Sequence, residues 1–386
     1  MANSNSKTLL GAAFLMATSA VGPGFLTQTT VFTQQLTTSF GFIILISVLI
    51  DLCVQYNIWQ IITVSGKHAQ DLANALFPGL GYLLAFLIVV GGLAFNIGNV
   101  AGAGLGIEAM TGIPVHIGAL GSAAMAIAIF LFKEAGNAMD KFAKFLGLLM
   151  ILLIVFVAFT ANPPLAKAVQ HTFIPEQFDA IATLTLVGGT VGGYISFAGA
   201  HRLLDSGISG QAALPQVNKS ASTGILVTAL IRYLLFLATL GVIITGVTVN
   251  PDNPTASVFE HAAGAWGKLM FGLMIWCAAI TSVVGAAYTS ISFIRSFHPW
   301  LEKYHTSLTI VFIIISTAVF LFIGKPVTVL IFVGTLNGFV LPIALAILLI
   351  VSRKSRLMGT YKHPLALQIA GWGVVFILLG MGINLI

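Results

Sequence analysis

Residues 20–25, Ala-Val-Gly-Pro-Gly-Phe, and residues 187–193, Val-Gly-Gly-Thr-Val-Gly-Gly, set glycine and proline into the middle of otherwise apolar runs. Such breaks take backbone N–H and C=O groups out of the helical ladder, and hydrocarbon cannot satisfy them, so both are expected to line a cavity. A helix that restarts after a break turns its unpaired N–H groups, and the positive end of its dipole, toward that cavity. Neither break carries an acidic side chain. The chemistry this predicts is recognition of a small anion or a carboxylate group, with glycine allowing close approach to the backbone. The candidate binding set is Gly22, Pro23, Gly24 and Phe25 from the first break and Gly189, Thr190, Gly192, Gly193 and Tyr194 from the second. Asn96 and Ser196 offer further hydrogen bonds.

The elements that must hold these residues are membrane spans. Of 386 residues, 58% are hydrophobic and 7% charged, against roughly 25% charged in soluble domains. Eleven apolar segments are predicted: 8–37 (broken), 40–64, 79–107, 115–132, 142–160, 180–204 (broken), 222–246, 266–293, 307–324, 326–352 and 364–386. Paired interrupted spans at matching places point to the binding site of a secondary transporter. The whole of 1–386 reads as one transporter domain, with 8–160 and 180–352 as two inverted five-helix repeats and 364–386 as an extra helix. No cleavable signal peptide is expected before the first span.

Thirteen of the seventeen basic residues fall on one side of this arrangement, which predicts a cytoplasmic N-terminus and an outside C-terminus in a multi-pass plasma-membrane protein. The net charge of +6 is then topology rather than a nucleic-acid surface. Expected partners are the lipid bilayer and a small-molecule or ion substrate. Cys53 and Cys277 sit inside spans and read as packing residues. The small residues Gly98, Gly102, Gly104 and Gly106 likewise read as a helix-packing stripe. An intramembrane enzyme is not expected, because His68, His171, His298, His305 and His363 fall in connections and no histidines pair at helical spacing. Nor is a channel filter or a ring of charges visible.

The Gly-Pro-Gly break, the stretch QYNIWQIITVSGKHAQDLA at 55–73, VGGTVGG and the span count resemble the natural resistance-associated macrophage protein (NRAMP) family of proton-coupled divalent metal transporters. That resemblance covers nearly the whole chain and implies the leucine-transporter-type (LeuT) fold, all-α, with helices 1 and 6 broken. Family ligand positions are altered, however. Where the family has Asp-Pro-Gly-Asn, this chain has Gly22, Pro23, Gly24 and Phe25; a Met-Pro-His run aligns with Gly192, Gly193 and Tyr194, and a span 10 glutamine with Gly334. The acidic pair of span 3 corresponds to Asn96 and Asn99, and span 9 has no basic residue. A divalent metal transporter thus remains the alternative reading, without the family's side-chain ligands and without transition-metal ligands of its own.

Likeness to sodium-coupled LeuT-fold transporters also implies a sodium site between spans 1 and 8. Its five neutral oxygens are the carbonyls of Thr18, Val21 and Ala278 and the hydroxyls of Thr281 and Ser282. Sodium would be the coupling ion; no other cofactor is expected. Asp51 and Arg232 are intramembrane ionisable residues that read as a structural pair or a gate, and Asp51, His116 and His201 are the remaining titratable alternatives for proton coupling.

Overall fold

A computed structural model describes residues 20–383, with side chains described throughout except at 133–146. Among these residues the chain is all helix: α1 (Pro23–Leu36), α2 (Phe40–Ser65), α3 (Ala69–Leu76), α4 (Leu80–Thr111), α5 (Val115–Leu131), α6 (Lys133–Thr160) and α7 (Leu165–Phe173). There follow α8 (Ala180–Val191), α9 (Ile195–Asp205), α10 (Leu214–Ile243), α11 (Pro254–Arg295), α12 (His305–Ile323), α13 (Pro326–Val351) and α14 (Leu365–Ile383), joined by turns and short helical pieces.

Eight described helical runs are long and apolar enough to cross a membrane, or nine when the sharply bent pair 147–160 and 165–173 is taken as one. This measure falls short of the eleven expected because it takes Pro23–Ser65 as a single run and because α5 has only 17 residues. The bundle wears its apolar surface outward: Phe322 is 94% exposed and Phe159 82%.

Helix ends follow local chemistry. Pro23, Pro254 and Pro326 stand in the first turns of their helices, where a missing N–H costs nothing. Gly66, Gly112 and Gly324 close theirs in the left-handed conformation. The segment ahead of the eighth predicted span folds as a short helix from Pro254 that ends at Ala263 and Gly264, where the backbone leaves helical angles before the span resumes.

Small residues bring α4 against its neighbours. A Cβ on Gly102 would overlap Pro23, and one on Gly106 would lie 2.8 Å from Gly272 O on α11. The polar run of α1 is absorbed locally: Thr29 and Thr33 donate to the carbonyls of Phe25 and Thr29, one turn back.

A second polar cluster fastens the start of α14. His363 Nε2 and Asn57 Oδ1 are 2.8 Å apart, Asn57 Nδ2 donates to Leu367 O, and Tyr361 donates to Gln60 Oε1 at 3.0 Å. Burial, and then the nearby Arg353 charge, lower His363 to about 4 from an ordinary value near 6.5. The unfolded state therefore takes up the proton first. Stability from this contact is full above about pH 6.5 and is lost as the pH falls toward 4. Hydrogen-exchange protection at the start of α14 is accordingly expected to weaken between pH 7 and 5, and to lose that pH dependence in His363→Gln.

Candidate functional site

Helix α1 starts at Pro23 with Gly22 at its N-cap in extended conformation, and no side chain caps it. The first intrahelical donor is Leu26 N–H, 3.3 Å from Gly22 O. Pro23 has no N–H, so the N–H groups of Gly24 and Phe25 precede the ladder. Beside this helix start lies a cavity of about 20 Å³ lined by Ala20, Gly22, Gly24, Phe25 and Gln28, by Phe95, Gly98 and Asn99 of α4, by Gly189 of α8, and by Leu330 and Val333 of α13. That volume holds about one water. A larger groove, about 570 Å³, lies on the outer face between α13 and α14 beside Arg353 and Trp372, remote from both breaks.

Three carboxamide and hydroxyl groups surround the break. Gln28 Nε2 donates to Leu330 O at 2.8 Å, while its Oε1 is buried without a partner. Asn99 Nδ2 is likewise buried and unpartnered. A Cβ on Gly22 would lie 3.6 Å from Asn99 Oδ1 and 3.8 Å from Ser282 Oγ, which puts α4 and α11 against the first break. The cavity is thus uncharged, with both donors and acceptors left unmet.

The second break is also present: α8 ends at Val191, Gly193 takes φ +54°, and α9 resumes at Ile195. Of its predicted residues, only Gly189 lines the cavity. Gly192 and Gly193 pack on Asn337 of α13, whose Nδ2 donates to Gly91 O at 3.2 Å and Val333 O at 2.9 Å. Tyr194 lies edge-on to Phe95 at 5.6 Å, and Ser196 hydroxyl donates to Val191 O. Two converging helix ends were expected; at the cavity the structure brings the start of α1 alone, because α13 wedges Asn337 against the turn that precedes α9.

Asn96 does not reach the cavity either. Its Nδ2 donates to Ser316 Oγ of α12 at 2.8 Å, one helical turn from Asn99. Pro23 is seated against Gly102, and Gly98 of the expected packing stripe lines the cavity instead. Thr190 donates to Leu186 O and accepts from Arg232 Nη1 at 2.7 Å. The Arg232 guanidinium stands 4.1 Å from the centre of the Phe25 ring.

In the expected sodium set, Thr18 lies outside the described residues. Val21 is buried, Ser282 neighbours Gly22, and Thr281 donates to Cys277 O and Ala278 O at 3.1 and 3.0 Å, so its hydroxyl is bonded back to the preceding turn and engages the Ala278 carbonyl.

Sequence reasoning missed Gln28 and Asn99 as lining residues. Gln28 stands four residues after Gly24, on the same helical face, so the signal was there. Nothing in the spacing distinguishes Asn99 from Asn96.

Comparison with known proteins places this geometry. A family model described as natural resistance-associated macrophage protein-like matches residues 13–386. An uncharacterized membrane protein of Haemophilus influenzae is 56% identical over 96% of this chain and 93% of its own. The Nramp1 metal transporter of Populus trichocarpa is 21% identical over 97% of this chain and 74% of its own. Among solved structures, an Eremococcus coleocola manganese transporter mutant superposes with TM-score 0.71 at 17% identity, covering 97% of this chain and 86% of that one. MhsT in complex with L-phenylalanine superposes with TM-score 0.72 at 14% identity, covering 97% and 98%.

Proposed function

This chain belongs to the natural resistance-associated macrophage protein-like (Nramp) family, and on that premise we propose that it carries a small anionic or carboxylate-bearing solute, bicarbonate among the candidates, together with sodium. Its fold is of the LeuT type, and it is a multi-pass membrane transporter. The observation that carries the proposal is the composition of the cavity at the first break. The unpartnered Gln28 Oε1 and Asn99 Nδ2 and the start of α1 meet there without a carboxylate, and the hydroxyl of Ser282 stands next to Gly22. Among the described residues no group of three His, Cys, Asp or Glu side chains is placed to hold a metal ion. A divalent cation needs several oxygen, nitrogen or sulfur ligands with compensating negative charge. Backbone N–H groups at a helix start favour the opposite sign.

The fold does not choose between cargoes. Its solved relatives include a manganese transporter and a protein holding L-phenylalanine, itself a carboxylate-bearing solute. Those names, and the plant metal transporters among the relatives, favour the second reading, a divalent metal carrier that uses backbone carbonyls and amides. For the sodium proposal the support is the register of Ser282 with Gly22. The bias of basic residues supports a cytoplasmic N-terminus and an outside C-terminus in the plasma membrane.

Uptake into proteoliposomes under a sodium gradient, scored for radiolabelled bicarbonate, acetate and lactate and in parallel for manganese quenching of an enclosed dye, tests the two readings together. Sodium-driven anion entry supports the proposal. Manganese entry indifferent to sodium, with no anion entry, overturns it. Thr281→Ala is expected to raise the sodium concentration for half-maximal uptake about tenfold, as loss of one oxygen ligand worth ~1.4 kcal/mol would.

A further inference from the structure

We propose that Arg232 is the residue that receives the substrate's negative group. The inference rests on the anionic cargo proposed above.

The Arg232 side chain is buried, at 2% exposure on α10. A buried charge is expensive unless paired and fully hydrogen-bonded, and more so within a membrane. Its Nη1 donates to Thr190, but Nε and Nη2 have no partner. An arginine kept only to brace the bundle would have its fork filled. Here two unmet donors on one planar guanidinium match the geometry a carboxylate or bicarbonate takes when both its oxygens are bound.

Position supports the same conclusion. Arg232 touches the site through two neighbours: the Phe25 ring, which lines the cavity, lies 4.1 Å below the guanidinium, and Thr190 directly follows Gly189, which lines it too. Arg232 therefore stands immediately behind the cavity wall on both the first and the sixth span. In this structure the cavity holds no more than one water-sized group, and Phe25 is the side chain shared between it and the guanidinium. Displacement of that ring would open the cavity onto the guanidinium, so that an anion entering over the start of α1 meets a full positive charge. Removing Arg232 then abolishes substrate binding.

The test uses the full-length protein in proteoliposomes, with uptake of radiolabelled bicarbonate, acetate and lactate measured against concentration for the wild type, Arg232→Met and Arg232→Lys. Arg232→Met is expected to lower uptake at least about thirtyfold, as for loss of one partner of a buried charged contact. Arg232→Lys should keep part of it, because the charge stays and the fork is lost. An Arg232→Met protein that is monodisperse and saturates like the wild type overturns the inference, as does an Arg232→Lys protein whose half-saturation is unchanged. Wild-type protein that takes up none of the three anions refutes the cargo class itself and this inference with it. Wild-type anion uptake that both Arg232 substitutions leave unchanged refutes the role of Arg232 alone.

Discussion

Gly22→Asp is expected to abolish anion uptake while leaving the protein folded. Gly22 has φ −106° and ψ −172°, extended backbone that any residue adopts, and its missing Cβ would meet Asn99 Oδ1 and Ser282 Oγ only at 3.6 and 3.8 Å. The side chain therefore fits. An aspartate there would also cap α1, whose first N–H groups have no side-chain acceptor, and caps of this kind contribute ~1 kcal/mol. The same capping carboxylate occupies the place an anionic substrate would take, and a like charge at a buried site costs several kcal/mol, so uptake should fall at least about a hundredfold. The melting temperature in detergent should hold or rise. Under the metal reading the sign reverses: a carboxylate beside the break supplies the missing ligand, and manganese entry should increase. Undiminished anion uptake in a well-folded Gly22→Asp protein would falsify the assignment of the anion seat to the first break.

A second pair of substitutions separates packing from binding at adjacent positions. Gly188→Ala is expected to prevent accumulation of folded protein, because its Cβ would overlap Gly334 O and Gly338 N, both backbone of α13. Backbone of a packed helix cannot turn aside, so α8 and α13 would have to part, at a cost at or above the ~3 kcal/mol upper end of ordinary overpacking. Gly189→Ala places its Cβ 2.6 Å from Gln28 Oε1, the far end of a flexible side chain. That protein should fold, with Gln28 swung from its bond to Leu330 O, and lose transport about tenfold through the displaced amide. Size-exclusion profiles and thermal melts report the first effect and proteoliposome flux the second. Equal stability of the two variants would contradict the packing assigned to Gly188.

Much of the architecture was legible because membrane helices obey a coarse rule. Every spanning backbone group must be satisfied internally, so long apolar runs become helices and Gly-Pro interruptions become breaks. On that basis the chain itself determined an all-helical membrane bundle, and its glycines and proline mark the helix start at Pro23 and the turn at Gly192 and Gly193. The absence of charge from both breaks is also a property of the sequence alone.

What faces the cavity was decided by tertiary structure. Glycines of one motif have different neighbours because successive residues on a helix point about 100° apart: Gly188 meets α13, Gly189 meets Gln28, and Gly193 meets Asn337. Periodicity cannot tell which of these faces looks inward when every face is buried, as it is throughout 182–200. The same holds for Asn96 and Asn99, one turned to Ser316 and the other to the first break. Arg232 and Phe25 are 207 residues apart in the chain, and no spacing rule joins them. Only the packing of α10 against the start of α1 brings a buried positive charge behind Phe25, because a side chain's partners there depend on helices that cross, not on residues that follow one another.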